Sequence, residues 1–152
     1  MITVEHAGDL AAHAGQRLGA SDWIEITQSA TDDFARLTGD DHWIHVDTER
    51  ASREMPGGTT IVHGLHMVSL MPRLQRDIYT VRRRGRGLNY GYDKLRFVAP
   101  VPVGSRIRLA LTLVEAAAHP RGTRIVCEAS IERDGADGPA VVARHILLIE
   151  NP

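Results

Sequence analysis

The chain has 152 residues, 43% of them hydrophobic and 24% charged, with a formal net charge of -1 at pH 7. That length suits one domain with a real core, taken here as residues 1–152, and the near-neutral charge argues against general nucleic-acid affinity. A single cysteine, Cys127, excludes an intramolecular disulfide, and its Arg-Ile-Val-Cys-Glu-Ala context reads as a packed strand position.

In chain order, MITVEHAGDLAAHAG lacks the basic flank and apolar run of a secretory signal, and a short helix is expected over Val4 to His13. No stretch approaches the roughly 20 apolar residues of a bilayer span, so no membrane association and a cytoplasmic location are expected. Ser21 to Thr27 alternates like a strand. Ser29 to Leu37 reads as a helix, with Thr31, Asp32 and Asp33 supplying capping oxygens and first-turn charge, and Gly39 ends it. GDDHWIHVD looks too short and polar for a regular element. Thr48 to Arg53 forms a short helix opened by Asp47 or Thr48, and Met55-Pro56-Gly57-Gly58 breaks it.

Leu65 to Tyr79 carries apolar residues around most of a helix's circumference, which predicts a helix buried on nearly all sides. Pro72 removes the hydrogen bond to the Val68 carbonyl and predicts a kink or boundary. Four β-type runs follow: Leu88 to Val98, Arg106 to Ala116, Thr123 to Arg133 and Val141 to Ile149, joined by short Pro- and Gly-containing turns. The fold class is therefore α+β, with an antiparallel sheet covering one apolar helix.

Unusual residue choices concentrate in Gly39 to Asp47 and in Ile61-Val62-His63-Gly64-Leu65. Asp40 and His45, five residues apart on a non-helical turn, can converge on one water as acid/base equipment without a nucleophile. By spacing alone, a helix-capping Asp40 and a merely packed His45 are the commoner outcome. Gly64 alters the balance, because the first amides of a helix lack intrahelical partners and can stabilise a developing oxyanion. In isolation it is equally a helix-start glycine chosen for backbone freedom. His42, His45, His63 and His66 do not make a recognised metal-ligand spacing, so no metal is expected. His63 is read as ordering the turn before Gly64, and Trp43 as pocket lining or simple packing. Arg82-Arg83-Arg84-Gly85-Arg86 is either a solvated loop or a seat for phosphates or an acidic carrier.

The segments FARLTGDDHWIHVDTERA and PGGTTIVHGLHMVSLMPRL strongly resemble the MaoC-like dehydratases, the R-specific enoyl-CoA hydratases and their NodN-like relatives. NYGYDKLRFVAPVPVGSRIR extends the likeness, which covers roughly residues 16 to 149. The resemblance implies a hotdog fold, in which a curved antiparallel sheet wraps a long central helix, usually in a homodimer. It implies (R)-specific hydration of a trans-2-enoyl thioester and the reverse dehydration. Asp40 and His45 match the family's catalytic pair and Gly64 its oxyanion donor.

The substrate is then an acyl-CoA or acyl carrier protein thioester. No cofactor is expected, coenzyme A being part of the substrate. Candidate substrate contacts are Trp43, His63, Ser69, Arg82, Arg83 and Arg84. Some R-specific hydratases carry a serine eight residues after the motif glycine; here that position is Pro72, with Ser69 three residues earlier. A hotdog acyl-CoA thioesterase and a non-catalytic hotdog subunit are the competing readings, and retention of Asp40, His45 and Gly64 together argues against the second.

Overall fold

The computed structural model describes residues 1–152 and contains eight strands and four α-helices: β1 Ile2–Val4, β2 Arg17–Ala20, β3 Ile24–Glu25, α1 Gln28–Thr38, α2 Trp43–Val46, α3 Thr48–Glu54, α4 Gly64–Leu74, β4 Tyr79–Val81, β5 Gly87–Phe97, β6 Arg106–His119, β7 Gly122–Arg133 and β8 Pro139–Glu150. Short 3-10 segments span Ala7–His13 and Gln75–Asp77. Antiparallel strands in the order β2-β6-β7-β8-β5, with β3 also paired to β6, form the main sheet. β1 and β4 make a separate parallel pair.

The sheet is built on period-two alternation. Ile107, Leu109, Leu111 and Leu113 of β6 are all essentially inaccessible, and their partners Ile131, Ala129 and Cys127 on β7 continue the same inner row. On β8, Val141, Ala143, His145 and Leu147 extend it. Burial pushes the Cys127 thiol up to about 12, so it stays protonated and inert. Met67, Met71 and Leu74 of α4 rest on this surface, as do Leu10 and Ile78, within one apolar cluster of 25 buried residues.

The long strands agree with the sequence reading to within a few residues. Elsewhere the structure differs. The expected Val4–His13 helix is a short strand followed by a 3-10 segment, and only Ile24–Glu25 of the expected Ser21–Thr27 strand is paired. α1 is capped by Thr27, whose Oγ1 accepts from the Ala30 amide at 3.2 Å, not by the Thr31–Asp33 group; Gly39 closes it in the left-handed region at φ 78°. The polar GDDHWIHVD stretch contains one helical turn, α2. Asp47 opens α3, accepting from the Arg50 amide at 2.9 Å.

α4 ends at Leu74, two residues after Pro72, and a 3-10 turn and β4 take the place of the expected continuation to Tyr79. Nor is α4 buried all round. Leu65, Ser69, Pro72, Arg73 and Arg76 form an exposed line along it and the 3-10 turn that follows. No helix is long and apolar enough to cross a membrane.

Candidate active site

Three local structures meet at one end of α4. Asp40 lies just past the Gly39 cap of α1, His45 is on α2, and His63-Gly64 marks the start of α4. Gln28, in the first turn of α1, holds them in register. Its side-chain amide donates to the His45 carbonyl at 2.8 Å, and its oxygen accepts from the Thr60 hydroxyl. The chain before α4 is fixed in turn by Ile61 N donating to the Ile44 carbonyl and Val62 N to the Val101 carbonyl.

His45 is buried, and its Nδ1 lies 2.7 Å from the Ile61 carbonyl oxygen. A carbonyl only accepts, so Nδ1 carries the proton and Nε2 keeps a free lone pair. Burial, joined by the neighbouring imidazoles of His63 and His42, holds the His45 pKa below its usual value against the raising effects of that hydrogen bond and of Asp40, so the ring is neutral at pH 7. His63, only 2% exposed, stacks on His45 with ring centroids 3.8 Å apart. Its Nε2 donates to the backbone carbonyl of Asp40 at 2.8 Å, and its Nδ1 is buried without a partner. Phe34 supports the stack, with its ring 4.9 Å from those of His63 and His66.

These residues border a cavity of about 380 Å³. Asp40, His45 and Gly64 face it, and Leu65, Phe97 and Val98 give it apolar walls. Gly64 is the first residue of α4, so its amide has no intrahelical acceptor. Its missing side chain matters: a Cβ there would lie 2.6 Å from two ring carbons of Phe97. Ligand atoms from Asp40, His45 and His63 lie within 4.8 Å of one another, a spacing that admits a shared cation as well as a shared water. Two of the four imidazole nitrogens are already engaged with carbonyls.

Of the other candidates, Trp43 lies under the Arg50 guanidinium, 4.1 Å from its ring centre, and Ser69 Oγ donates back to the His66 carbonyl at 2.7 Å. Neither borders the cavity. Arg82 approaches Glu5 at 3.9 Å, and Arg84 borders a different cavity at the far end of α4, with Arg83 beside it in sequence. Gln28 and Thr60 escaped the sequence reading. Their signal is tertiary, because Gln28 contacts residues 17 and 32 positions away.

The curved antiparallel sheet around α4, with a carboxylate and an imidazole facing a helix start, is the architecture of a hotdog-fold hydro-lyase. Residues 9–133 match the model of the MaoC like domain, and the chain belongs to the MaoC-like dehydratase family. It is 47% identical over 148 residues to 3-hydroxyacyl-thioester dehydratase Z of Mycobacterium tuberculosis, covering 97% of both chains. It is 38% identical to nodulation protein N of Rhizobium leguminosarum bv. viciae, over 93% of this chain and 89% of that one. The fold is shared with an unliganded R-hydratase from Pseudomonas aeruginosa (TM-score 0.76, 19% identity, 97% of this chain and 87% of that one). An (R)-hydratase from A. caviae gives a TM-score of 0.71 at 21% identity, covering 91% and 96%.

Proposed function

We propose that the chain hydrates trans-2-enoyl thioesters reversibly to (3R)-3-hydroxyacyl thioesters, using Asp40, His45 and the Gly64 amide. The observation that carries this reading is the placement of a neutral, lone-pair-bearing His45 and the Asp40 carboxylate around one cavity that also receives the first amide of α4. A separation of up to 4.8 Å suits one water, hydrogen-bonded at about 2.8 Å to each group.

In the hydration direction His45 Nε2 takes a proton from that water as its oxygen bonds to C3. The C2–C3 π electrons move toward the thioester, and the Gly64 N–H stabilises the negative charge on the carbonyl oxygen. The proton on His45 then passes to C2, so hydroxyl and hydrogen arrive from one face, giving syn addition. Asp40 orients the water and stabilises the imidazolium through its negative charge. Dehydration is the same path reversed.

The name of the 47%-identical relative supports a 3-hydroxyacyl thioester as substrate, carried on coenzyme A or on a carrier protein. On this reading His63 orders the site from behind, and Arg84 meets a phosphate group. We further infer a homodimer joined along β5, which pairs only with β8 and leaves its other edge free beside exposed Tyr90, Phe97 and Val98.

Asp40→Asn and His45→Gln each lower turnover on a trans-2-enoyl-CoA by about a hundredfold to ten-thousandfold while the circular dichroism spectrum is unchanged. Loss of the conjugated double bond without release of free thiol marks hydration and rules out thioester cleavage. Near-normal turnover in both variants would sink the assignment.

A further inference from the structure

A second cavity, of about 500 Å³, lies at the opposite end of α4 from Gly64. Its apolar lining includes Val81, Leu147 and Ile149, and its polar groups are Gln75, Arg76, Tyr79, Thr80, Arg84 and Asn89. No carboxylate borders it. Arg76 and Arg84 make no ion pair, although most other arginines of the chain do. Tyr79 is 4% exposed, and its hydroxyl, turned to the Gln75 side chain, finds no partner beyond it. Buried polar groups are ordinarily satisfied, and leaving one unmade costs stability. Two unpaired guanidiniums beside a buried phenol O–H, with no carboxylate among the lining residues, therefore favour an anion.

We propose that this cavity binds the anionic terminus of the substrate, with Arg76 and Arg84 supplying charge and the Tyr79 hydroxyl and the Gln75 amide donating hydrogen bonds. A half-turn of that amide about its last bond presents its N–H. The carbonyls at the C-terminal end of α4 oppose an anion with about half a charge, which two guanidiniums outweigh.

The inference rests on the thioester reading in one respect, that a single ligand reaches both ends of the helix. Gly64 and Gly87 border the two cavities from opposite ends of α4 and β5, and Phe97 lies across from Gly64. The exposed line Leu65, Ser69, Pro72, Arg73 and Arg76 runs between them. Twelve residues from Gly64 to Arg76 at helical rise correspond to roughly 18 Å. An extended arm of that length ends in a phosphate, if it is the pantetheine side of the thioester, or in a carboxylate, if it is the far end of the acyl chain. Both are oxyanions that a guanidinium binds with paired N–H donors.

The test is titration calorimetry in two arms, with wild type, an Arg76→Gln/Arg84→Gln double variant and Tyr79→Phe. One arm compares coenzyme A with pantetheine; the other compares the N-acetylcysteamine monothioester of tetradecanedioic acid with that of tetradecanoic acid. In one arm the charged probe binds wild type at least tenfold more tightly than its neutral counterpart. The double variant abolishes that difference and leaves the neutral probe unaffected, and Tyr79→Phe, which keeps the buried ring, reduces it. The arm that responds identifies the anion. If charge adds no affinity in either arm, or the difference survives in the variants, the proposal is overturned. Hydration by wild type, followed in parallel at the enoyl double bond, tests the thioester reading separately, because the binding result stands whether or not turnover is seen.

Discussion

The absence of a side chain at Gly64 serves the neighbouring strand as much as the helix. A Cβ at that position would press into the Phe97 ring, which is 51% exposed and borders the cavity. Gly64→Ala therefore displaces the ring into substrate space while leaving the helix amide in place. We expect a loss of about tenfold or more in kcat/KM, and partial recovery in Gly64→Ala/Phe97→Ala, read by steady-state kinetics. If the double variant is no better than the single, the glycine acts through its backbone instead. Asp40, His45 and Gly64 were legible as candidates through the helix start that follows the pair and through the family resemblance, since spacing alone pointed to capping and packing. The imidazole stack was not, since His45 and His63 are 18 residues apart and only the folded chain sets their rings face to face.

Among the elements, α1 contributes no cavity-lining side chain yet governs the site through Gln28. The amide bridges α2 and the chain before α4, and also meets Asp32 in its own helix at 2.7 Å. Gln28→Ala removes the bridge without enlarging the main core, so kcat/KM falls about tenfold with less than about 2 kcal/mol lost in denaturant unfolding. A drop in stability with unchanged kinetics would assign Gln28 a purely architectural part. The four long strands were legible from alternation and turn residues. β1 and β4 were not, because each is three residues long and gains its strand character only by pairing with the other across 77 positions of sequence. α4 was read as buried on nearly all sides because apolar residues at 65, 67, 68, 70, 71, 74 and 78 cover most of the helix circumference. Hydrophobic pattern alone does not distinguish a face covered by the sheet from one left open, and the open face here lies between the two cavities.

Across the whole molecule, acid stability has an identifiable contributor. His145, 1% exposed on β8, stacks on Tyr92 at 4.7 Å, and burial lowers its pKa to about 4. The unfolded chain takes up this proton near pH 6.5 and the folded chain does not, so the contribution is complete above about 6.5 and is lost as pH falls toward 4. The gap corresponds to roughly 3 kcal/mol. His145→Phe, which keeps a flat ring against Tyr92, flattens the fall in melting temperature between pH 6.5 and 4, as read by calorimetry. A wild-type curve as steep as the variant's would assign the acid sensitivity to other groups. At the same scale, light scattering is expected to give twice the mass of the chain, as the free edge of β5 requires on the proposed pairing; a monomer would remove the homodimer.

The chain order of the site separates two jobs. Asp40, His45 and Gly64 fall within one 25-residue run, whereas the distant cationic cavity is drawn from the end of α4, the 3-10 turn after it, β4, the arginine loop, β5 and β8. On the proposed function, residues 28–64, which keep Gln28 with the site it bridges, are the segment to transplant, and Gln75 and Arg76 are the positions to diversify to change the guest. On that reading, selectivity and reactivity are separately inherited in this scaffold.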